Sequence, residues 1–264
     1  MAYLMVNDVR LHFERYPQPG KPVLVLSHSL FFDWRMFESL IEQLHQDFEI
    51  LVYDHRGQGL SSCAGNLDMD TLTEDALALI DALELAPCYF AGNSMGGFVA
   101  LRLAARYPQR LAGCIVMGSS ADLERQLAEF EPLVEQLARD GAADQIDTLM
   151  FIMFGDDTLR SPSQAALCAR WRARMRELGP GIGEAARGVI HRRSVLPELA
   201  GLRVPLLVLA GEQDHAYSVA QSQQIIECSG QGDCQVVAGA GHSVALEQPG
   251  QVAEAIRRFV GKTT

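Results

Sequence analysis

Residues 90–98 of the sequence, Phe-Ala-Gly-Asn-Ser-Met-Gly-Gly-Phe, lie between a short apolar run and a run of helix-forming residues. The centre of this stretch has the pattern Gly-x-Ser-x-Gly, with Gly92 and Gly96 on either side of Ser94. Between a strand and a helix, this pattern predicts a nucleophile elbow, a sharp turn that holds the serine in a strained backbone conformation. The glycines suit a close crossing of strand and helix, where side chains would clash. Ser94 is therefore a candidate nucleophile; the alternative is a capping serine in a glycine-rich turn.

Apolar runs and helical repeats alternate on both sides of this turn. The runs predict strands at residues 23–26, 48–53, 86–90, 111–117, 204–210 and 235–238, after a hairpin at residues 2–13. Apolar residues at helical spacing predict helices at residues 36–46, 71–85, 98–107, 218–227 and 249–260. Strands and helices that alternate in this way predict an α/β fold with a mostly parallel sheet flanked by helices.

The alternation stops between residues 121 and 197, where the sequence is helical and rich in charge. We interpret residues 1–120 and 198–264 as one α/β core domain, and residues 121–197 as a helical cap inserted into it. The insertion follows the strand that ends at Met117, at the carboxyl edge where such sheets bind ligands. An independent domain is the alternative, but linkers are lacking at both ends.

Two further residues complete a candidate catalytic group. A serine hydroxyl needs a base, and a carboxylate usually orients that base. In a fold with this elbow the order along the chain is serine, then acid, then histidine. Asp214 and His242 follow predicted strands in that order, so both are expected at the edge that holds Ser94. Asp122 and Glu212 are alternative acids.

Two backbone N–H groups should hold the negative oxygen that forms during acyl transfer. One is that of Met95, directly after the candidate nucleophile. The other is expected from the loop after the strand at residues 23–26, and we assign it to Leu30, with Ser29 as the alternative.

Apolar residues near this loop and in the insertion are candidates for substrate binding. Phe31 and Trp34 lie on or beside the loop after the strand at residues 23–26, here called the oxyanion loop. Within an apolar run at residues 149–154, the candidates for the roof of the pocket are Phe151, Ile152, Met153 and Phe154. For any one residue of that run, packing of the cap onto the core is an equal alternative.

Other polar residues are expected to have structural roles. We expect His28 to brace the oxyanion loop rather than to act as a base. The turn at residues 54–61 contributes three residues that we also expect to be structural, Asp54, His55 and Arg56. His191 and His215 have no supporting pattern and are expected at the surface.

The net charge of the sequence limits the kinds of partner that we expect it to bind. The sequence has a net charge of −11, which argues against binding to nucleic acid or to an anionic membrane surface.

Neither a long apolar run nor a signal peptide is evident, so a cytoplasmic location is the default expectation. Metal-ligand spacing and a dinucleotide-binding turn are not found either, so we expect neither a metal nor a cofactor. The sequence leaves homo-oligomer formation open.

The elbow, Asp214, His242 and the turn at residues 54–61 resemble the α/β-hydrolase superfamily across nearly the whole chain. Within it, residues 26–30, Leu-Ser-His-Ser-Leu, resemble 3-oxoadipate enol-lactonases, which carry Ser-Asn-Ser-Leu here; His28 replaces that asparagine. The elbow Gly-Asn-Ser-Met-Gly-Gly is similar to that of the meta-cleavage C–C hydrolases. Residues 149–154 lack the basic residue that enol-lactonase caps usually carry.

We therefore expect a hydrolase of a small carboxylic ester or lactone that works through an acyl-enzyme. The alternatives are C–C bond hydrolysis, cofactor-free peroxidase or perhydrolase chemistry, and a signalling receptor that keeps the triad to bind a ligand. An anionic substrate would need a cation, and the candidates Arg160, Arg187 and His191 have no pattern that places them at the pocket. A neutral small-molecule substrate is therefore expected.

Overall fold

Strands and helices alternate along the chain in the computed structural model, which describes residues 2–263. The strands are β1 (Ala2–Val6), β2 (Val9–Tyr16), β3 (Val23–Ser27), β4 (Glu49–Tyr53), β5 (Cys88–Asn93), β6 (Leu111–Met117), β7 (Leu206–Gly211) and β8 (Asp233–Val237). The helices are α1 (Glu38–Leu44), α2 (Met69–Ala82), α3 (Met95–Arg106), α4 (Leu127–Asp140), α5 (Ile146–Met153), α6 (Asp156–Arg160), α7 (Ala165–Arg176), α8 (Gly181–Ile190), α9 (Leu196–Leu199), α10 (Val219–Ser229), α11 (Val244–Glu247) and α12 (Pro249–Thr263).

All eight strands belong to one sheet with the order β1-β2-β4-β3-β5-β6-β7-β8. The strands β1 and β2 form a hairpin, and β2 also runs antiparallel to β4. The remaining neighbours are parallel. The predicted α/β fold with a mostly parallel sheet is confirmed. Central strands such as β5 and β7 are buried along their whole length, which explains their continuous apolar sequences.

The turn between β5 and α3 depends on the absence of side chains at two positions. Ser94 has φ of +52° and ψ of −111°, a conformation that is uncommon for a residue with a side chain. A Cβ atom on Gly92 would lie 2.0 Å from the carbonyl oxygen of Gly96, and one on Gly96 would lie 2.1 Å from that of Ser27. The glycines therefore let α3 start directly against the sheet, with Ser94 at its end.

The segment between β6 and β7 contains the helices α4 to α9. The helices α4 and α8 cross closely, since a Cβ atom on Gly183 would lie 2.3 Å from the backbone of Ala138. Within residues 2–263, no helix is long and apolar enough to span a membrane.

A buried carboxylate joins this helical segment to the loop that carries His242. Glu247 accepts hydrogen bonds from the backbone N–H groups of Gly155 at 2.8 Å, Gly241 at 3.0 Å and Ser243 at 3.1 Å. Burial raises the pKa of the Glu247 carboxyl, while the Thr158 hydroxyl and the three N–H groups lower it. Because these donors come from both segments, Glu247 fixes the helical segment and the histidine loop to one another.

The helical segment and the histidine loop also contact one another through glycines, which have no side chains. A Cβ atom on Gly241 would lie 2.0 Å from the nitrogen of Gly155. The N–H group of Ser243 donates to the carbonyl of Met153 at 3.1 Å, which adds a direct backbone connection. The position of the histidine loop therefore depends on residues of the helical segment.

Replacing Glu247 by glutamine tests this connection. In Glu247→Gln the side-chain NH₂ group would face backbone donors, so at least one buried N–H group would lose its acceptor. We expect the free energy of unfolding to fall by about 2–4 kcal/mol, measured by denaturant titration. The matched control is Glu254→Gln on α12, where the side chain is 66% exposed and the expected change is below about 0.5 kcal/mol. Equal stability of the two variants would contradict this role of Glu247.

Candidate active site

Ser94, His242 and Asp214 lie in one hydrogen-bonded line. The Oγ atom of Ser94 is 2.7 Å from Nε2 of His242. The Nδ1 atom of His242 is 3.1 Å from both carboxylate oxygens of Asp214. Since the carboxylate can only accept, Nδ1 carries the proton and Nε2 is free to accept the hydroxyl proton of Ser94. This arrangement can deprotonate the serine and then stabilise the resulting imidazolium.

Backbone donors after β7 hold the carboxylate of Asp214. The N–H groups of Ala216 and Tyr217 donate to Oδ1 at 2.8 and 2.9 Å. The alternative acids have other partners. Asp122 pairs with Arg125 at 3.0 Å, and Glu212 accepts from the N–H group of Gly239 at 2.9 Å. The geometry therefore favours Asp214 as the partner of His242.

Asn93 ties the serine turn to the histidine loop, a role that was missed from the sequence. Its side-chain NH₂ donates to the backbone carbonyl of His242 at 2.9 Å. Its side-chain oxygen accepts from the N–H group of Ala245 at 3.3 Å. The available signal was a polar residue at the end of a fully buried strand, directly before Ser94. Such a residue needs partners for both ends of its amide, and here the histidine loop supplies them.

Two backbone N–H groups near Ser94 are free to hold an oxyanion. In the described part of the chain, no hydrogen-bond acceptor is found for the N–H groups of Met95 and Leu30. The N–H group of Ser29, by contrast, donates to the sulfur of Met36 at 3.3 Å. This difference favours Leu30 over Ser29 as the second donor.

His28 lies beneath the oxyanion loop and connects it to the turn after β4. Its Nε2 atom accepts from the N–H group of His55 at 3.0 Å, and its Nδ1 atom donates to the carbonyl of Ser29 at 2.8 Å. Burial lowers the pKa of both His28 and His55, so both rings are neutral. With both nitrogens engaged, His28 is placed to brace the loop and not to act as a base.

A narrow cavity of about 60 Å³ opens onto Ser94 and His242. Most of its wall is apolar and comes from α4, α5 and α8, through residues such as Val134, Leu137, Ile152 and Val189. Phe31 also lines it, as the oxyanion loop positions it there. The volume suits a small acyl or alkyl group. The polar part of the wall includes Glu124 and Tyr217, neither of which was selected from the sequence.

Three residues chosen from the sequence for substrate binding, Trp34, Phe151 and Phe154, are not among those that line this cavity, whereas Ile152 and Met153 are. Trp34 packs against His12 at the start of a short helical turn, with ring centroids 6.4 Å apart. Phe151 is 52% exposed and stacks on His215, because its position on α5 faces away from Ile152. Phe154 follows the end of α5 and is fully buried against Phe32, so it packs the helical segment onto the oxyanion loop.

The cations considered from the sequence also lie outside the cavity wall. Arg160 is exposed and paired with Asp156, while Arg187 and His191 face Glu184 and Glu131 at the surface. Arg192, which was not considered, is buried behind the wall and binds Glu124. Among residues 2–263, no cluster of three or more histidine, cysteine or acidic side chains is arranged to hold a metal ion.

Comparison with known proteins agrees with this fold. The sequence is 27% identical over 250 residues to 3-oxoadipate enol-lactonase 2 of Acinetobacter baylyi, covering 93% of this chain and 91% of that protein. Its fold matches the crystal structure of the enol-lactonase from Burkholderia xenovorans LB400, with a TM-score of 0.89, 25% identity, and coverage of 98% of this chain and 100% of that one. A thermophilic esterase from Thermogutta terrifontis is similar at a TM-score of 0.87 and 28% identity, covering 97% and 94% of the two chains.

The family model described as the alpha/beta hydrolase family matches residues 24–255, which run from β3 to the middle of α12. This match and the enol-lactonase relatives confirm the resemblance seen in the elbow and in the loop after β3. The chain therefore belongs to the alpha/beta hydrolase family.

Proposed function

We propose that this protein hydrolyses small, uncharged carboxylic esters or lactones through an acyl-enzyme on Ser94. The hydrogen-bonded line from Ser94 through His242 to Asp214, at the end of an apolar cavity, is the observation that carries this proposal. Relatives named as enol-lactonases and an esterase of similar fold support the same class of reaction. Those relatives are between 25% and 28% identical, so the substrate is argued from this chain's own residues.

The chemistry has two halves. Ser94 Oγ attacks the substrate carbonyl carbon as His242 takes the hydroxyl proton, and the negative oxygen faces the N–H groups of Leu30 and Met95. His242 then gives the proton to the leaving oxygen, and the acyl group remains on Ser94. A water molecule, deprotonated by His242, attacks the acyl carbon and releases the acid. The carboxylate of Asp214 orients and stabilises the imidazolium.

In the same proposal, residues 121–197 act as a cap that determines the size of the substrate. The apolar cavity wall from α4, α5 and α8 lies within this segment. Its connection through Glu247 keeps it in place over Ser94.

Substitution of the proposed nucleophile is the direct test. We expect Ser94→Ala to lower kcat/KM for a small activated ester by at least about a thousandfold, because the acyl-enzyme cannot form. A fluorophosphonate probe should label Ser94, located by peptide mass spectrometry, and labelling should abolish activity. The control is Ser163→Ala, at an exposed position in the helical segment, which should retain both activity and labelling. Near-normal hydrolysis by Ser94→Ala would exclude the proposed function.

A second test concerns substrate charge. The carboxylate of Glu124 is at the cavity wall, and the one buried cation beside it, Arg192, already binds that carboxylate. A substrate carboxylate would lie in an apolar site without an unshared cation, which is unfavourable. We expect kcat/KM for the primary amide of a carboxylated enol-lactone to exceed that for the free acid by about tenfold or more, which equals ~1.4 kcal/mol. A tenfold preference for the free acid would contradict this and point to Arg192.

A third test concerns the acyl chain. Ile152 lines the cavity, whereas its neighbour Phe151 faces solvent. We expect Ile152→Ala to enlarge the cavity and raise the ratio of kcat/KM for hexanoyl over acetyl esters by about tenfold, since apolar contacts of this size are worth about 1–3 kcal/mol. Phe151→Ala is the matched control and should leave the ratio unchanged. If both variants shifted the ratio equally, the assignment of the cavity wall would be wrong.

A further inference from the structure

A buried ion pair in the helical segment joins Glu124, in the cavity wall, to Arg192 behind it. The guanidinium Nη1 of Arg192 is 3.0 Å from Oε2 of Glu124, and both side chains are almost completely buried. Arg192 also donates from Nε to the carbonyl of Asp122 at 2.9 Å. Its Cζ atom is 4.2 Å from the ring centroid of Phe98, so the guanidinium also makes a cation–π contact with this ring. Removing one partner would leave the other as an uncompensated buried charge.

Tyr217 connects this pair to the proposed catalytic residues. Its hydroxyl donates to Oε2 of Glu124 at 3.1 Å, and Cζ of Arg192 is 5.2 Å from its ring centroid. On the other side its ring lies 5.4 Å from that of His242, and its backbone N–H group donates to Asp214 at 2.9 Å. Burial raises the pKa of the Tyr217 hydroxyl, so it remains a donor throughout the neutral range. One residue thus contacts the ion pair, the base and the acid.

We propose that Glu124 and Arg192, acting through Tyr217, position His242 and set the pH range in which it can act as a base. This inference rests on the proposed function, because it assigns a role to His242 in catalysis. The three are positioning residues, since none of them forms or breaks a bond in the reaction. Their charges are opposite and close together, so the native pair adds little net charge beside the base.

The direction of the effect follows from the charge on the base. His242 is inactive as a base when it is protonated and positive. Without Arg192, the remaining anion of Glu124 would favour the protonated ring, and a higher pH would be needed for activity. Without the charge of Glu124, the remaining cation of Arg192 would disfavour the protonated ring, and activity would extend to lower pH. Glu124 keeps two hydrogen-bond donors in the absence of Arg192, the hydroxyl of Tyr217 at 3.1 Å and the N–H group of Gln126 at 3.0 Å.

Other charged and titratable groups surround His242, and the experiment leaves them unchanged. Asp214 comes from the loop after β7, and Glu247 binds the backbone on both sides of His242 from α11. Ser94 reaches it from the end of β5. His215 lies next in the chain to Asp214 but turns toward Asp156, 3.3 Å away. Differences between variants of the ion pair therefore report on Glu124 and Arg192.

The experiment measures kcat/KM for a neutral ester between pH 5 and pH 9 in Glu124→Gln and Arg192→Gln. On the acidic limb of the pH profile, kcat/KM reaches half of its maximum at a characteristic pH. We expect this pH to fall by about half a unit in Glu124→Gln and to rise by about as much in Arg192→Gln. In the double variant, which has two uncharged amides, the pH of half-maximal kcat/KM should return toward the native value. The matched control is the surface pair of Arg257 and Asp47, 2.7 Å apart, whose Arg257→Gln and Asp47→Asn variants should leave the limb unchanged.

Tyr217→Phe supplies a readout that does not require the ion pair to be broken. It keeps the ring beside His242 and the N–H group that binds Asp214, and removes only the hydrogen bond to Glu124. We expect kcat to fall about threefold to tenfold, with KM changed less than twofold, because the base loses orientation and the cavity keeps its shape. An unchanged kcat would overturn the role of Tyr217, even if the single charge variants proved too unstable to purify.

The outcomes separate this inference from the proposed function. The inference would be overturned if the acidic limb shifted in the same direction in Glu124→Gln and Arg192→Gln, or in neither. An inactive Ser94→Ala would leave the proposed function intact in that case. An active Ser94→Ala would remove the proposed function itself. Opposite shifts together with an inactive Ser94→Ala would support both.

Discussion

The close contact between the end of β5 and the start of α3 is the constraint on which the site depends. A helix that begins against the sheet requires bare backbone at Gly92 and Gly96, since a Cβ atom at either position would overlap a carbonyl oxygen. Because the helix begins here, the unpaired N–H groups of its first turn lie beside Ser94, where they can stabilise negative charge. The strained conformation of Ser94 is maintained because the buried strand and helix fix both of its ends.

The histidine loop is held by contacts from three sides, and none of them involves the imidazole ring. Asn93 binds its backbone from the serine side, and Glu247 binds it from α11. The backbone of Met153 binds it from the helical segment. These contacts leave the ring of His242 free to bond with Ser94 and Asp214 alone. The backbone of the histidine loop is thus positioned by hydrogen bonds that the side chains of Ser94, His242 and Asp214 do not share.

The sequence was sufficient to predict the fold and the proximity of Ser94, Asp214 and His242, because both depend on local patterns. Buried parallel strands have continuous apolar sequences, and the serine, acid and histidine each follow such a strand. Helix starts were less accurate: α2 was predicted from residue 71 but begins at Met69, after Asp68, whose side chain accepts from the N–H group of Thr71. Which side chains of α5 line the cavity could not be predicted, because this depends on which face of the helix turns inward. Ile152 and Phe151 are both large and apolar, and only packing distinguishes them.

The direct backbone contact between Gly155 and Gly241 has a consequence for how such a protein can change over evolution. A segment that hydrogen-bonds to the histidine loop cannot be exchanged as a module, since a transplanted segment would have to present the same N–H group and carbonyl at the same place. Under the proposed function, new substrate ranges are therefore more accessible through single replacements on the inner faces of α4, α5 and α8 than through exchange of the whole insertion. Diversity in this lineage should be concentrated in those side chains, with the junction at Gly155 and Gly241 retained.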